Sequence, residues 1–386
     1  MKFRTITLIF SLCALAALTT SVRLSAQQEQ DQPSYSHHAK LIEFDAPDAG
    51  TVSSPVCAPL CGTTAYANND LGEIVGSYTD TNIVPHGFVR TPDGHVLSFN
   101  APGAGLGAGL DEGTVAYSIN DLGVIAGQFQ DPNLIFHGFV RFPDGSFATF
   151  EAPDAGSGEY QGTSAFNINL EGATAGIYVD ASNVVHGFVR SPQGKITSID
   201  PSGSILTYPC EETCLNQAGA IAGYYLDASN TIHGFLREPN GEITTVDAPG
   251  AGTGGYLGTI AGSINQEGTI TGYFADSNNV FHSFVRTRDG RFTAFNDPSA
   301  GTEADQGTAA FSINLLGAVT GEFVDTNYVY HGFSRSPLRT FATIDAPDAC
   351  TASGCGTRPS TNNLQGAVTG WYIDANLVAH GFLWNP

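Results

Sequence analysis

The 386-residue chain predicts an all-β fold: a seven-bladed β-propeller of four-stranded antiparallel blades. Three observations predict it. A His-Gly-Phe phrase, once His-Ser-Phe, recurs at His86, His137, His186, His233, His282, His331 and His380, spaced by 51, 49, 47, 49, 49 and 49 residues; self-similarity at that period marks a repeat architecture. Each repeat holds four short strand-like segments separated by turn signals, and none has a 3.6-residue period. The fourth segment is missing from the last repeat, while a spare copy stands ahead of the first.

The elements follow in order. Lys2 and Arg4 precede an apolar run from Ile6 to Leu18, and Leu24-Ser25-Ala26 offers a small-residue cut, so residues 1–26 read as a signal peptide. Cys13 follows Leu12 where a lipoprotein signal would need a small residue, so no lipid anchor is expected. Residues 27–38 are Gln-rich and polar, a disordered lead-in, and 39–386 form the propeller. No later stretch approaches the roughly 18 apolar residues of a spanning helix. The location expected is secreted or periplasmic.

In the first repeat, Tyr66–Asn69 enters the turn Asn69-Asp70-Leu71-Gly72. Ile74, Gly76, Tyr78 and Asp80 alternate along a second strand, and Asp80-Thr81-Asn82 turns the chain. His86, Phe88 and Arg90 alternate along a third, Pro92-Asp93-Gly94 forms a tight turn, and Val96 to Phe99 is the fourth. Four strands in 40–50 residues fit a propeller blade, and a lone blade buries its faces only by stacking on neighbours. Fourth strands end at Phe99, Phe150, Ile199, Val246, Phe295 and Ile344, with the spare at Phe44. Pairing Lys40–Asp45 with His380–Trp384 would close the ring and remove its open edges. First strands carry small Ala65, Ala116, Ala165, Ala261 and Ala310. Second strands carry Gly76, Gly127, Gly176, Gly223, Gly272, Gly321 and Gly370, which implies a bulky neighbour, the third-strand Phe.

The Asn-x-x-Gly turn, the apolar-x-Gly strand and the His-x-Phe phrase, nearest in His380-Gly381-Phe382-Leu383-Trp384, resemble the extracellular HAF-repeat family over nearly the whole chain after residue 38. Gly mostly replaces that family's Ala. The resemblance implies a secreted repeat protein and supplies no catalytic residue.

The leader holds three of 15 basic residues and no acid, which leaves 12 Lys and Arg against 37 Asp and Glu, net −25. That disfavours nucleic acid and anionic membranes and suits a neutral or cationic ligand: glycan, peptide, protein or metal ion. A monomer is expected. Six cysteines form three close pairs, Cys57/Cys61, Cys210/Cys214 and Cys350/Cys355, which read as local disulfides.

Each histidine follows an acid by six residues: Asp80/His86, Asp131/His137, Asp180/His186, Asp227/His233, Asp276/His282, Asp325/His331 and Asp374/His380. An Asp-oriented His is half of a hydrolase triad. Seven equal copies argue instead for a structural pair tying each hairpin. Asp and Asn in the second turns are a thin calcium site and good turn formers, so no cofactor is expected. Arg90, Arg141, Arg190, Arg237, Arg286 and Arg335 close the third strands, where local salt bridges are expected over anion binding. The Gly-rich runs 103–109 and 250–255 lack the strand-helix context of a phosphate loop.

Function is sought where the repeat breaks, in the connectors between blades: Asp111-Glu112, Glu159-Tyr160, Glu303 and Asp305, Arg358 in Arg358-Pro359-Ser360-Thr361, and Tyr208-Pro209-Cys210-Glu211-Glu212-Thr213-Cys214. The leading expectation is a non-enzymatic binding or scaffold protein using that face. A hydrolase or lyase with Glu211 and Glu212 as acid and base is the alternative, and a structural surface component the third.

Overall fold

The computed structural model describes residues 39–51, 61–107, 112–209 and 213–386. Every regular element among them is a β-strand. None is a helix long and apolar enough to cross a membrane. The first five strands are β1 (Lys40–Phe44), β2 (Gly62–Asn68), β3 (Ile74–Thr79), β4 (Pro85–Arg90) and β5 (Val96–Phe99). β2 to β5 form an antiparallel meander. Five further four-strand units repeat it. The last unit, Gly356–Asn362, Val368–Ile373 and Ala379–Asn385, takes β1 as its fourth strand, in register from Lys40↔Asn385 to Phe44↔Gly381. The architecture is that of a β-propeller.

The units are bonded to one another through the turn asparagines. The Asn69 amide donates to the carbonyl of Asn120 (3.1 Å), Asn120 to Asn169 (2.9 Å), Asn169 to Asn216 (3.2 Å) and Asn216 to Asn265 (3.2 Å). Asn265 then donates to Asn314 (3.2 Å), Asn314 to Asn363 (2.8 Å), and Asn363 back to Asn69 (3.1 Å). The circle closes on itself. Each asparagine also accepts, through Oδ1, from backbone N–H of its own turn, as Asn120 does from Leu122 and Val124.

A second set of ties uses a Gly-Thr phrase at the start of six first strands. Thr63, Thr114, Thr163, Thr259, Thr308 and Thr357 accept the N–H of the residue just beyond the preceding unit's fourth strand, at 2.9–3.0 Å. The Gly before each threonine lies against the preceding unit's third strand. At Gly162 (φ 114°) a Cβ would sit 2.0 Å from the Phe136 carbonyl oxygen. The N–H of Phe136, Ile232, Phe281, Tyr330 and Ala379 donates across this junction. At the first junction the equivalent residue is Pro85, which has no N–H to give.

The core lies between units. Phe88, Phe139, Phe188, Phe235, Phe284, Phe333 and Phe382 are fully buried, each opposite the second-strand Gly. The expected close approach is present: a Cβ on Gly127 would meet Phe139 at 2.5 Å. The first-strand carbonyl of Val115 is nearer still, at 2.2 Å. At Gly176, Gly272 and Gly321 the carbonyl is the closest neighbour. That approach follows a bulge after the small Ala of the first strand, between Ala116 and Ser118 in unit two.

Candidate functional site

The histidines are the most repeated chemistry, and the structure uses both ring nitrogens. Nε2 faces the expected Asp at 3.5–3.8 Å in every unit. At His233 the contact is a long hydrogen bond to Asp227, and elsewhere a close approach of charge. The nearer partner lies fourteen residues on, just past the fourth strand. Nδ1 meets Glu151 at 2.5 Å, Asp200 at 3.1 Å, Asp247 at 2.9 Å and Asp345 at 3.0 Å. His380 meets Asp45, from the N-terminal strand, at 2.9 Å. Asn100 and Asn296 take this place for His86 and His282. Each ring packs on a second-strand aromatic opposite it in register, as His137 stacks on Phe129 with centroids 4.7 Å apart. Hydrogen bonds donated to Glu151, Asp345 and Asp45 hold His137, His331 and His380 above the usual imidazole range, against the opposing effect of burial. A catalytic base needs one nitrogen free for substrate. These rings, bracketed by acceptors on both sides, are clamps between the second, third and fourth strands.

The acids six residues upstream are equally occupied. Oδ1 of Asp131 accepts the N–H of Asn133 (2.8 Å) and Ile135 (3.0 Å), while Oδ2 accepts from the Asn133 amide (3.2 Å). Burial pushes the Asp131 carboxyl up, and these donors with His137 outweigh it, leaving it below the usual range. The turn closes with a residue at positive φ, Leu134 here and Ile83 in unit one. Among the described residues no cluster of three or more His, Cys, Asp or Glu could hold a metal ion.

The third-strand arginines correct an expectation. Among the described residues none of the six pairs with a carboxylate. Arg90, Arg141, Arg190 and Arg335 instead lay their guanidinium groups over Phe44, Phe99, Phe150 and Phe295 of the preceding unit, 4.3–4.9 Å from the ring centroid. Ile199 and Val246 end the fourth strands of units three and four, so Arg237 and Arg286 of the units after them meet no such ring.

The connectors lie on the face of the second turns and are bonded to both neighbours. Gly156 N–H donates to the Val179 carbonyl ahead, and Tyr160 N–H to the Leu134 carbonyl behind. The residue before Gly-Thr clasps each loop. Gln161 and Gln306 accept the N–H of Gly158 (2.9 Å) and Glu303 (3.0 Å). Glu112 does the same for Gly107 (2.5 Å). Leu257 fills the space with carbon, and Cys355 forms a disulfide with Cys350. Glu112 therefore faces its own loop. Asp305 (φ 64°) accepts from the Asn279 amide at 2.6 Å. Glu159 and Glu303 are exposed and Tyr160 is half-buried. Tyr256, which the sequence reading passed over, is 51% exposed on the fifth unit's connector. Its signal was an aromatic at the position of Tyr160.

Two placements differ from expectation. Arg358 is not on a connector: it lies inside the strand Gly356–Asn362, half-buried over Tyr330 (3.6 Å) and 3.7 Å from Glu322, whose carboxyl burial pushes up. Tyr208-Pro209 ends the strand Ser204–Pro209, so these two residues belong to a first strand rather than to a connector. The reason is a short link, Asp200–Gly203, that starts this unit's first strand early. Asp111, Glu211, Glu212, Cys57 and Cys210 lie outside the described residues. Cys61 is disulfide-bonded and Cys214 is buried. The remaining described candidates are spread over the connectors that lead into units two, three and six.

These units and clamps define a β-propeller, and comparison with known proteins agrees at the level of fold. No family model and no curated protein matches the chain, so the HAF-repeat resemblance rests on its motif. Among solved structures, the lectin BP39L from Burkholderia pseudomallei superposes with TM-score 0.51 at 9% identity, over 87% of this chain and 96% of that one. Puromycin hydrolase gives 0.49 at 12% identity, over 87% of this chain and 56% of that one. A lectin from Aleuria aurantia, described as a six-bladed propeller with a fucose recognition mode, gives 0.39 at 13%, over 72% and 92%.

Proposed function

We propose that this chain is an exported, monomeric, seven-bladed propeller that binds without catalysis, holding a neutral or cationic glycan on its connector face. One observation carries the reading: the connectors are fixed to both neighbouring units by backbone hydrogen bonds while presenting exposed Tyr256, Glu159 and Glu303. A loop held in its bound shape loses little entropy on binding. An exposed tyrosine face suits the apolar face of a sugar, and exposed carboxylates on the same side of the propeller suit its hydroxyl or amino groups. The seven asparagine links support the blade count, and residues 1–26 support export. The choice of glycan over peptide or protein leans on the lectin likeness, an analogy of fold.

The test is a panel of neutral and amino sugars followed by titration calorimetry. Tyr256→Ala and Glu159→Gln should each weaken the best ligand about tenfold, a loss of ~1.4 kcal/mol, with melting temperature unchanged. A ligand indifferent to both substitutions and to Glu303→Gln would remove the connector face as the site.

A further inference from the structure

On the opposite face, that of the first and third turns, a cleft of about 440 Å³ opens between units five and six. Its lining holds Arg291, Arg335 and Arg339 with one acid, Glu267, while Asp289 beside the lining supplies counter-charge to Arg291 alone. Three guanidinium groups at one place are unexpected in a chain with 15 basic and 37 acidic residues.

The sequence of the sixth third-turn accounts for the concentration. Units one, two and five carry Asp-Gly there: Asp93-Gly94, Asp144-Gly145 and Asp289-Gly290. Asp93 and Asp144 supply counter-charge to Arg90 and Arg141. Unit six has Leu338-Arg339 instead, so the acid is gone and a second cation stands near Arg335. Arg339 holds φ at 70°, a conformation the other units give to glycine. Backbone strain kept for a particular side chain points toward function. Arg335 is 7% exposed, and its Nε has no hydrogen-bond partner. Nε of Arg90 and Arg141 is likewise unpartnered, but there the charge of Asp93 or Asp144 acts on the guanidinium.

The walls define the rest of the ligand. Phe295, Leu316 and Pro337 give carbon surface, and Thr269 and Thr287 give hydroxyls. We infer that this cleft binds an organic anion, a carboxylate carried on a sugar-sized body, as a second site independent of the connector face. The carboxylate would meet the arginines, where planar forks match its two oxygens. The body would lie on the apolar wall. A volume within the usual range of small-molecule sites accommodates it.

The test is calorimetry of the whole mature protein with D-glucuronate at low ionic strength, with D-glucose and sodium sulfate as comparators. Glucuronate should bind at least about tenfold more tightly than either, and weaken with added salt. Arg339→Gly should cost about tenfold in affinity while the melting temperature holds or rises, since glycine relieves the positive φ. Leu338→Asp should weaken glucuronate similarly by restoring the acid. Tyr256→Ala should leave it unchanged, which separates this site from the connector reading. Equal binding of glucuronate and glucose, or affinity untouched by both turn substitutions, would overturn the site. Sulfate matching glucuronate would overturn the sugar-sized part.

Discussion

Each turn asparagine donates and accepts at once, through the two separate heavy atoms of one amide. Asn120 takes two N–H groups of its own turn on Oδ1 and gives Nδ2 to Asn169. Asn120→Asp would keep the acceptor but set a buried carboxylate oxygen against a carbonyl. It should cost about 1–3 kcal/mol in urea unfolding at neutral pH, and less near pH 3, where a protonated carboxyl donates again; an equal loss at both pH values would refute the donor role. The histidines give the second residue-scale prediction. His331 and His380 have folded pKa values above the unfolded value of roughly 6.5, so their stabilisation is complete below that value and lost as pH rises through the folded one. The turn acids run the other way: Asp131 and Asp374 sit below the unfolded carboxylate, so their contribution is present above about pH 4 and lost as pH falls through the folded value. Melting temperature should therefore fall from pH 6 to pH 8.5, and fall less in His331→Gln and His380→Gln. Superimposable curves for the variants and the parent would contradict the clamp.

At the scale of elements, the connectors repeat one clasp with four chemistries, and Cys350–Cys355 is the covalent version. Gly301 and Gln306 occupy the corresponding positions, with the Gln306 side chain where a Cβ on Gly301 would go. Gly301→Cys with Gln306→Cys should therefore form a disulfide. The gain should be about 2 kcal/mol by the loop-entropy relation for so short a loop, and dithiothreitol should abolish it; no gain over the reduced form would show that the two clasps differ in backbone. This equivalence explains which parts of the site were legible in the sequence. The strand order, the turns and the Gly–Phe packing were, because a period of about 49 residues sums weak local signals over seven copies. The His–Asp tie was only partly so. Its stronger partner lies across the third hairpin in the Asp-Ala-Pro ending, which looked like a strand terminator. Glu112 looked like a free acid because its clasp role shows only beside Gln161, Gln306 and Cys355. Arg358 and Tyr208-Pro209 read as connector residues in the sequence because unit four shortens its link and unit seven breaks the small-residue rule of first strands. The basic cleft needed the structure, since Arg291 and Arg339 are 48 positions apart in sequence.

For the whole molecule, closure depends on a strand and a circle of side chains acting at the same seam. β1 lies on Ala379–Asn385 through five residue pairs, Asp45 clamps His380, and Thr63 takes the N–H of Ala46. On the inner side Asn363 reaches Asn69 and Ser360 reaches the Ala65 carbonyl. Apart from the Thr63–Ala46 tie, the outer contacts come from residues far apart in sequence, so β1 completes the seam only after both ends of the chain have met. Without residues 39–45 the strand Ala379–Asn385 would expose an unpaired edge, a template for association. The truncated protein should lose cooperative unfolding and run as oligomers on size exclusion. Appending the same segment after Pro386 through a Pro-Asp-Gly turn, as between β4 and β5, makes that pairing a local hairpin. Stability should then return to within about 1–2 kcal/mol of the parent, because a short loop replaces a long-range closure whose cost grows only slowly with length. Refolding should be faster, since the last unit no longer waits for the first. A permuted chain that stays oligomeric would show that β1 must be laid down ahead of the other units. Recovery of the parent's elution volume would show that the ring needs the strand and not its position in the chain.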